Sequence, residues 1–460
     1  MPLSRRWPAS WRILVAGLWL APLFAPLVAY LALHRSGAVA RQPYLAYERT
    51  LILDLLLYWL LAAGLLAALR EAGAARAWLA ARKGPLFLLV SSTLLSLAFG
   101  EAVLRILRPS LGEDLYERWP SPTLHHRNAP NRSSQGMGGH TVTTNEDGFR
   151  TGYSREGFLA HEQRVVLLGD SYVFGLGVAE KDSLAPRLEE ELRLLSPGTG
   201  VAVLNTGVIS YSPLLERAAF NQVAKNYRPT LTLLFVDVND IGDDWQYARE
   251  NVSPDPDSPR WNVPERPQRK GLCEYSALCK SARPIHSKLL LPFATAAKLR
   301  GSTEDYDYYR FEVDLGGQVE KDRFFVLRHP LESTRSYFEG TLANIEALSR
   351  DVEAAGSRFA VVVMPRYFHW NDAECPRNWE AFRYRVDEPY ENEYLRFFDE
   401  AAAREPFPIW GLVEEFRAWR GGPLVFEQDP HWNEAGNALA ARGVAKRLAS
   451  AGWPHRIGER

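Results

Sequence analysis

Three long apolar stretches crowd the first 107 residues and constrain the chain more than any other feature. Ile13–Leu33 runs 21 residues without a charge, and Leu51–Leu69 runs 19 with Asp54 as its single charge. Pro85–Leu107 is apolar up to Gly100 and then carries Glu101 and Arg105. A helix needs roughly 20 apolar residues to cross the hydrocarbon core of a bilayer. Core helices of a water-soluble protein would show polar faces, which these stretches lack. The reading is a membrane domain over residues 1–108, with three transmembrane helices near 13–33, 51–69 and 85–107. Pro22 and Pro26 then kink the first helix, which bilayer helices tolerate.

Charge supports that division. Residues 1–110 hold twelve Lys and Arg against four Asp and Glu, while the remaining 350 hold 42 against 51. The acidic body argues against nucleic acid as a partner, because phosphate binding needs a basic face. The N-terminal tail and the second loop together carry seven basic residues, and the opposite side carries five. The more basic side is cytoplasmic. The expected partner is therefore a lipid bilayer, with the N-terminus in the cytoplasm and the large domain outside it, on the periplasmic side of a bacterial inner membrane. Ala38-Val39-Ala40 also has the small-x-small form of a leader cleavage site, although the preceding apolar run is long for a leader core. Cleavage would leave the large domain on the same side.

Residues 109–162 read as a linker, rich in Pro, Gly, Ser, Asn and Arg, with Arg127–Gly139 its most loop-like part. His125-His126 lies there. Adjacent residues do not share a face, so a solvated loop is expected rather than a metal pair. From residue 163 to 460, short apolar runs alternate with amphipathic helices. Strands are expected at Val165–Leu168, Val201–Leu204, Leu231–Val236 and Phe359–Val363. Helices are expected at Leu184–Leu195, Leu214–Lys225, Thr334–Ala355 and Asn433–Ala449. Unbroken Val/Leu runs mark strands buried on both faces, as in a parallel sheet covered by helices on each side. An insertion at about 244–328 interrupts the rhythm. Cys273 and Cys279 fall within it, Cys375 has no evident partner, and three cysteines are too few for a disulfide framework.

In such a sheet the chemistry sits at the C-terminal ends of the strands. The first strand runs into Gly169-Asp170-Ser171, which is either a turn presenting a nucleophilic serine or a glycine turn with a helix cap. The phosphate-loop, dinucleotide and Gly-x-Ser-x-Gly patterns all fail here. The second strand leads to Gly207 and Ser210. The third leads to Asp237-Val238-Asn239-Asp240, where the Asn amide is either an oxyanion donor or part of a turn. Asp237, Asp240, Asp243 and Asp244 offer only oxygen ligands, a weak cation signal. Asp429-Pro430-His431 precedes the last helix and supplies an imidazole with a carboxylate two residues upstream, the parts of a general base.

Taken in order, these blocks resemble the SGNH hydrolase family, the GDSL-type esterases and lipases, in its membrane-anchored bacterial form. The resemblance covers roughly residues 140–452, and Asn145–Arg150 looks like the lead-in of membrane-anchored members. It implies a three-layer, flavodoxin-like α/β/α fold and no cofactor or metal. It implies Ser171 as nucleophile, His431 as base and Asp429 as its orienting acid. The oxyanion donors would be the Ser171 N–H, the Asn239 amide and the Ser210 N–H, with Gly169, Asp170, Gly207 and Asp240 as neighbouring motif residues. Two positions depart from the pattern. Ser210 stands where a glycine is usual, and Asp429 stands two rather than three residues before His431. Asp-x-His-Trp is also similar to the acid-base motif of periplasmic polysaccharide O-acetyltransferases. The implied substrate is an ester or acylated glycan, cleaved by an esterase, transferred by an acetyltransferase, or merely held by a non-catalytic glycan-binding module.

Overall fold

A computed structural model describes Ala77 and residues 81–107, 119–136, 140–255, 257–263, 312–378 and 386–454. The chain divides into two compact units, residues 1–112 with 269–309, and residues 113–268 with 310–460. In the first unit the described element is helix α1, Lys83–Leu107, with Phe87, Leu88, Leu95, Leu97 and Phe99 exposed. Ser91, Ser92, Thr93, Ser96 and Glu101 dilute its apolar character. Among the described residues no helix is long and apolar enough to cross a membrane. The stretches 13–33 and 51–69 lie outside the described residues, as do Cys273 and Cys279.

The second unit is built on five parallel strands: β5 (Gln163–Leu168), β6 (Val201–Asn205), β7 (Leu231–Val236), β10 (Arg358–Val363) and β11 (Ile409–Gly411). Their spatial order is β11-β10-β7-β5-β6. The first strand in sequence therefore lies between the second and third, the flavodoxin-like arrangement, whose switch point falls between β5 and β7.

Strand side chains alternate between two cores, as a period of two requires. Val166, Leu168, Ala202, Leu204, Leu234, Val236, Val361 and Val363 face one. Val165, Leu167, Val201, Val203, Leu233, Phe235, Ala360 and Val362 face the other. Helices α4 (Leu184–Leu195) and α10 (Glu434–Ser450) cover the second core with Leu184, Leu188, Leu192, Val444 and Leu448. Helices α5 (Pro213–Gln222), α7 (Leu331–Ala354) and α8 (Glu393–Ala402) cover the first with Phe220, Leu342, Ile345, Leu348, Phe397 and Phe398. Burying each such side chain contributes roughly 1.5–3 kcal/mol. Helix α6, Asp240–Glu250, starts directly after β7, so the segment expected as an insertion from 244 begins inside a helix.

The segment expected to be a linker is largely folded. It forms two small hairpins, β1 (Trp119–Ser121) with β2 (His125–Arg127) and β3 (Ser133–Gln135) with β4 (Thr141–Thr143), then α2 (Arg155–Leu159). Strands of three residues are too short to show a period. The return segment of the insertion adds a two-residue hairpin, β8 (Val313–Asp314) with β9 (Val319–Glu320).

Helix α3, Ser171–Phe174, is a single turn between β5 and α4, and Gly207 lies against its backbone. A Cβ at Gly207 would overlap the Phe174 nitrogen and the Val173 carbonyl carbon. Backbone cannot swing aside as a flexible side chain can. Gly207→Ala is therefore expected to lower stability by about 1–3 kcal/mol, the range for overpacking. A melting temperature equal to wild type would refute this account of the contact.

Candidate active site

The five strands release their chains at one edge of the sheet, and four of them deliver polar residues there. From β5 the chain enters Gly169-Asp170-Ser171. A Cβ at Gly169 would overlap Val173, so glycine is what permits the tight entry. Asp170 caps α3 by accepting from the Tyr172 N–H at 2.8 Å. Ser171 thus opens the turn, with both its hydroxyl and its N–H at the free end. From β6 come Asn205, whose amide donates to Val173 O at 2.7 Å, and the loop through Gly207 to Ser210. The Val208 N–H donates to Gly169 O at 3.1 Å, tying this loop to the serine turn.

The last loop brings His431 to Ser171. His431 Nε2 lies 2.7 Å from Ser171 Oγ, and His431 Nδ1 meets Asp429 Oδ1 in a short contact. Asp429 Oδ1 also accepts from the His431 backbone N–H at 3.0 Å. One carboxylate oxygen therefore closes a local turn and holds the ring, which is how a spacing of two residues suffices. An ionised carboxylate only accepts, so Nδ1 carries the proton and Nε2 offers a lone pair to the serine hydroxyl. Ser171, Asp429 and His431 are each less than one-tenth exposed. The Tyr172 ring lies 4.8 Å from the His431 ring and its hydroxyl donates to Pro430 O at 2.9 Å.

Asn239, from the end of β7, is buried. Its amide donates to Asp243 Oδ2 at 3.2 Å, and Arg366 Nη2 stands 3.5 Å from its Oδ1. Asp240 Oδ2 accepts from the Asp237 N–H at 2.9 Å. The four acids of this stretch are engaged locally. Asp237 holds Arg366, Asp243 accepts from Arg323 at 2.9 Å, and Asp244 accepts from the Leu214 N–H and the Asn344 amide. Among the described residues, no three His, Cys, Asp or Glu side chains are placed to hold a metal ion.

Two arginines escaped the sequence reading. Arg366, just beyond β10, meets Asp237 with Nη2 at 2.7 Å and Nε at 3.0 Å, and both side chains are buried. Its guanidinium lies 5.6 Å from the Tyr172 ring centroid and 4.9 Å from that of Phe324. An arginine directly after a fully apolar strand was the available signal. Arg150 closes the lead-in Asn145–Arg150. It donates from Nη1 to Phe174 O at 2.8 Å and Gly175 O at 2.6 Å, and from Nη2 to Val178 O at 2.7 Å. A cation at the carbonyl end of the serine turn suits the helix dipole.

His125 and His126 are not in a solvated loop. His126 is 3% exposed and His125 packs on Tyr247 and Trp261. Aromatic contacts and a hydrogen bond to the Ser210 loop bury what composition alone made look exposed.

Burial shifts titratable groups behind the serine away from their ordinary values. Burial first, then Asp237, pushes the Asp170 carboxyl up to about 6. Burial pulls His369 down to about 4. Its Nδ1 accepts the Arg366 N–H at 3.0 Å, which leaves Nε2 to donate to Glu391 O at 2.9 Å.

The fold and site define a parallel α/β protein with a Ser–His–Asp constellation at its switch point. No protein-family model matches the chain. No curated protein matches it either. Solved structures do align with it. The crystal structure of TesA does so at 12% identity and a TM-score of 0.33, over 62% of this chain and 98% of that one. A lipase/acylhydrolase from Enterococcus faecalis does so at 9% and 0.33, over 65% and 100%. A catalytic mutant of Axe2, an acetylxylan esterase from Geobacillus stearothermophilus, does so at 12% and 0.33, over 65% and 98%. At this level of similarity the functional reading rests on the site itself.

His369 makes the pH dependence testable. Its folded pKa of about 4 lies below the ordinary 6.5, so the unfolded chain binds the extra proton first as pH falls. Its neutral form is compatible with the fold above pH 6.5, and stability is lost as pH drops from there toward 4. His369→Gln is expected to show a smaller fall in melting temperature between pH 7 and pH 4.5 than wild type. An equal or steeper fall would contradict the buried neutral imidazole.

Proposed function

We propose that the chain is a membrane-anchored, extracytoplasmic serine esterase of the SGNH type, cleaving an O-acyl ester through an acyl-serine. The observation that carries this is the continuous contact from Asp429 through His431 to Ser171 Oγ. His431 Nε2 takes the hydroxyl proton as Ser171 Oγ bonds to the ester carbonyl carbon. The oxyanion meets the Ser171 N–H, the Ser210 N–H and the second amide hydrogen of Asn239. Among the described residues no hydrogen bond uses the Ser171 or Ser210 N–H. Ser210 sits at φ +61°, the left-handed backbone that glycine adopts readily, so the serine keeps the conformation a glycine would supply. The carbonyl then re-forms, and His431 gives its proton to the departing alcohol. Water enters next, gives a proton to His431, and its oxygen takes the acyl group. The acid leaves as Ser171 recovers its hydroxyl proton.

A second reading is transfer of the acyl group to a sugar hydroxyl in place of water. It is favoured by the Asp429-Pro430-His431-Trp432 spacing, which is similar to that of polysaccharide O-acetyltransferases. Membrane anchoring rests on the apolar sequence stretches 13–33 and 51–69, and the outward placement on taking 85–107 as a further span together with the seven-to-five distribution of basic residues.

The test uses the full chain in detergent with p-nitrophenyl acetate. Ser171→Ala and His431→Ala should each lower kcat by about four to six orders of magnitude while leaving the melting temperature near wild type. Acetylation of an added oligosaccharide would favour transfer, and acetate alone would favour hydrolysis. An unfolded Ser171→Ala protein, or release that survives both substitutions, would sink the acyl-serine. For location, a reporter enzyme active only outside the cytoplasm, fused after Arg108, should be active. An inactive fusion would reverse the orientation.

A further inference from the structure

The buried His126, with the half-buried His125 beside it, lies against the loop that carries Ser210. We propose that His126, backed by His125 and Glu250, is a positioning residue that aims the Ser210 N–H for the acyl-transfer step. This rests on the acyl-serine reading above and deepens it.

The argument begins with one peptide plane. In a trans peptide the C=O and the N–H point in opposite directions. Ile209 O and the Ser210 N–H belong to the same peptide. His126 Nε2 lies 2.8 Å from Ile209 O. A carbonyl oxygen only accepts, so Nε2 bears the hydrogen and donates it. The carbonyl is thereby held toward His126 and the Ser210 N–H is turned to the other side. Flanking bonds leave the loop little freedom to rotate back. Asn128 Nδ2 donates to Gly207 O at 3.1 Å, and the Tyr247 hydroxyl donates to Ser210 O at 2.7 Å. The Tyr211 hydroxyl in turn donates to His126 O at 2.6 Å. Such a hold is needed because a residue with a Cβ at φ +61° sits in a disfavoured region, by about 1–2 kcal/mol.

The second part is the relay behind His126. Its Nδ1 lies 2.7 Å from His125 Nδ1. With the hydrogen of neutral His126 on Nε2, its Nδ1 accepts and His125 Nδ1 donates. His125 Nε2 faces Glu250 Oε2 at 3.4 Å. Burial alone would raise the Glu250 pKa, but hydrogen bonds from His125 and Gln246 outweigh it and hold the carboxyl below its ordinary range. The aromatic groups around the pair are Tyr247, Tyr211 and Trp261. For both contacts of His125 to be hydrogen bonds it carries a hydrogen on each ring nitrogen; the Glu250 carboxylate, the His125 imidazolium, the His126 imidazole and the Ile209 carbonyl then form one chain, in which each bond polarises the next. Polarising a peptide carbonyl makes the N–H of the same amide a stronger donor, where an oxyanion would draw on it.

His126→Gln and His126→Asn separate positioning from packing. A Gln amide nitrogen reaches about as far as Nε2, whereas that of Asn stops near Nδ1. Both keep a polar amide at the site. The full chain in detergent would be treated with a fluorophosphonate, whose P=O oxygen occupies the oxyanion position once bonded to Ser171. The labelling rate and the final stoichiometry would be read by mass spectrometry. Stoichiometry counts folded sites, so a partly unfolded variant is still read through its rate. Asn is expected to slow labelling, and kcat on p-nitrophenyl acetate, by about 10- to 100-fold with KM within about threefold. Gln is expected to stay within about threefold of wild type in rate. Asn at the wild-type rate, or Gln and Asn equally slow, overturns the positioning role while leaving the acyl-serine standing. Wild-type labelling that is absent, or that Ser171→Ala does not abolish, removes the acyl-serine reading and this proposal with it.

Discussion

The bond between Ser171 and His431 joins residues 260 positions apart, and the architecture of the second unit can be understood as the means of making it. A parallel sheet places every strand exit on one edge. The serine leaves the first strand of that sheet and the histidine precedes the helix that closes the opposite end of the chain. Helix α10 packs against α4 over the same core, so the two ends of the unit are clamped on one face. The hydrogen bond is therefore only as good as the packing of Val444 and Leu448 against the strands.

Around this bond the fold accumulates buried acid. Asp170, Glu216, Asp237, Asp240 and Asp244 are all buried, and Arg366 is the cation bonded to Asp237 in their midst. Burial, then Asp170 and Asp244, pushes the Glu216 carboxyl up. Burial, then Glu216 and Asp170, does the same to Asp240. Isolated buried charge is expensive, and neutralisation is the usual escape. Asp429 is the carboxylate in contact with the His431 ring, and in the proposed reaction it is the counter-charge to the imidazolium.

Much of this was legible from residue order. Unbroken runs such as Leu231–Val236 gave strands to within two residues, because a strand buried on both faces has no polar position to blur its ends. Ser171, His431 and Asp429 were legible because each is a chemically costly residue at a strand exit or before the last helix. Helix α8 and strand β11 were missed. The strand is three residues long, and the preceding region carries no apolar run comparable to the other crossovers. Arg366, Arg150 and His126 were missed as site residues for a different reason. Their importance lies in which backbone carbonyl or carboxylate they meet, and no periodicity records a partner 24 or 129 residues away. The apolar stretches before residue 70 lie outside the described residues, so their reading stands on composition alone.

Arg150 has a consequence for where this unit begins. Its guanidinium gathers the carbonyls of Phe174, Gly175 and Val178, although Arg150 lies thirteen residues before the first strand of the sheet. The boundary suggested by the sheet is therefore not the boundary of the working unit. A fragment cut at Gln163 would retain the five-stranded sheet and Ser171, Asp429 and His431, but would lose Phe149 and Phe158 from the first core. It would also lose Arg150, which gathers the carbonyls of the serine turn, and His126 and Asn128, which hold the carbonyls of Ile209 and Gly207 in the Ser210 loop.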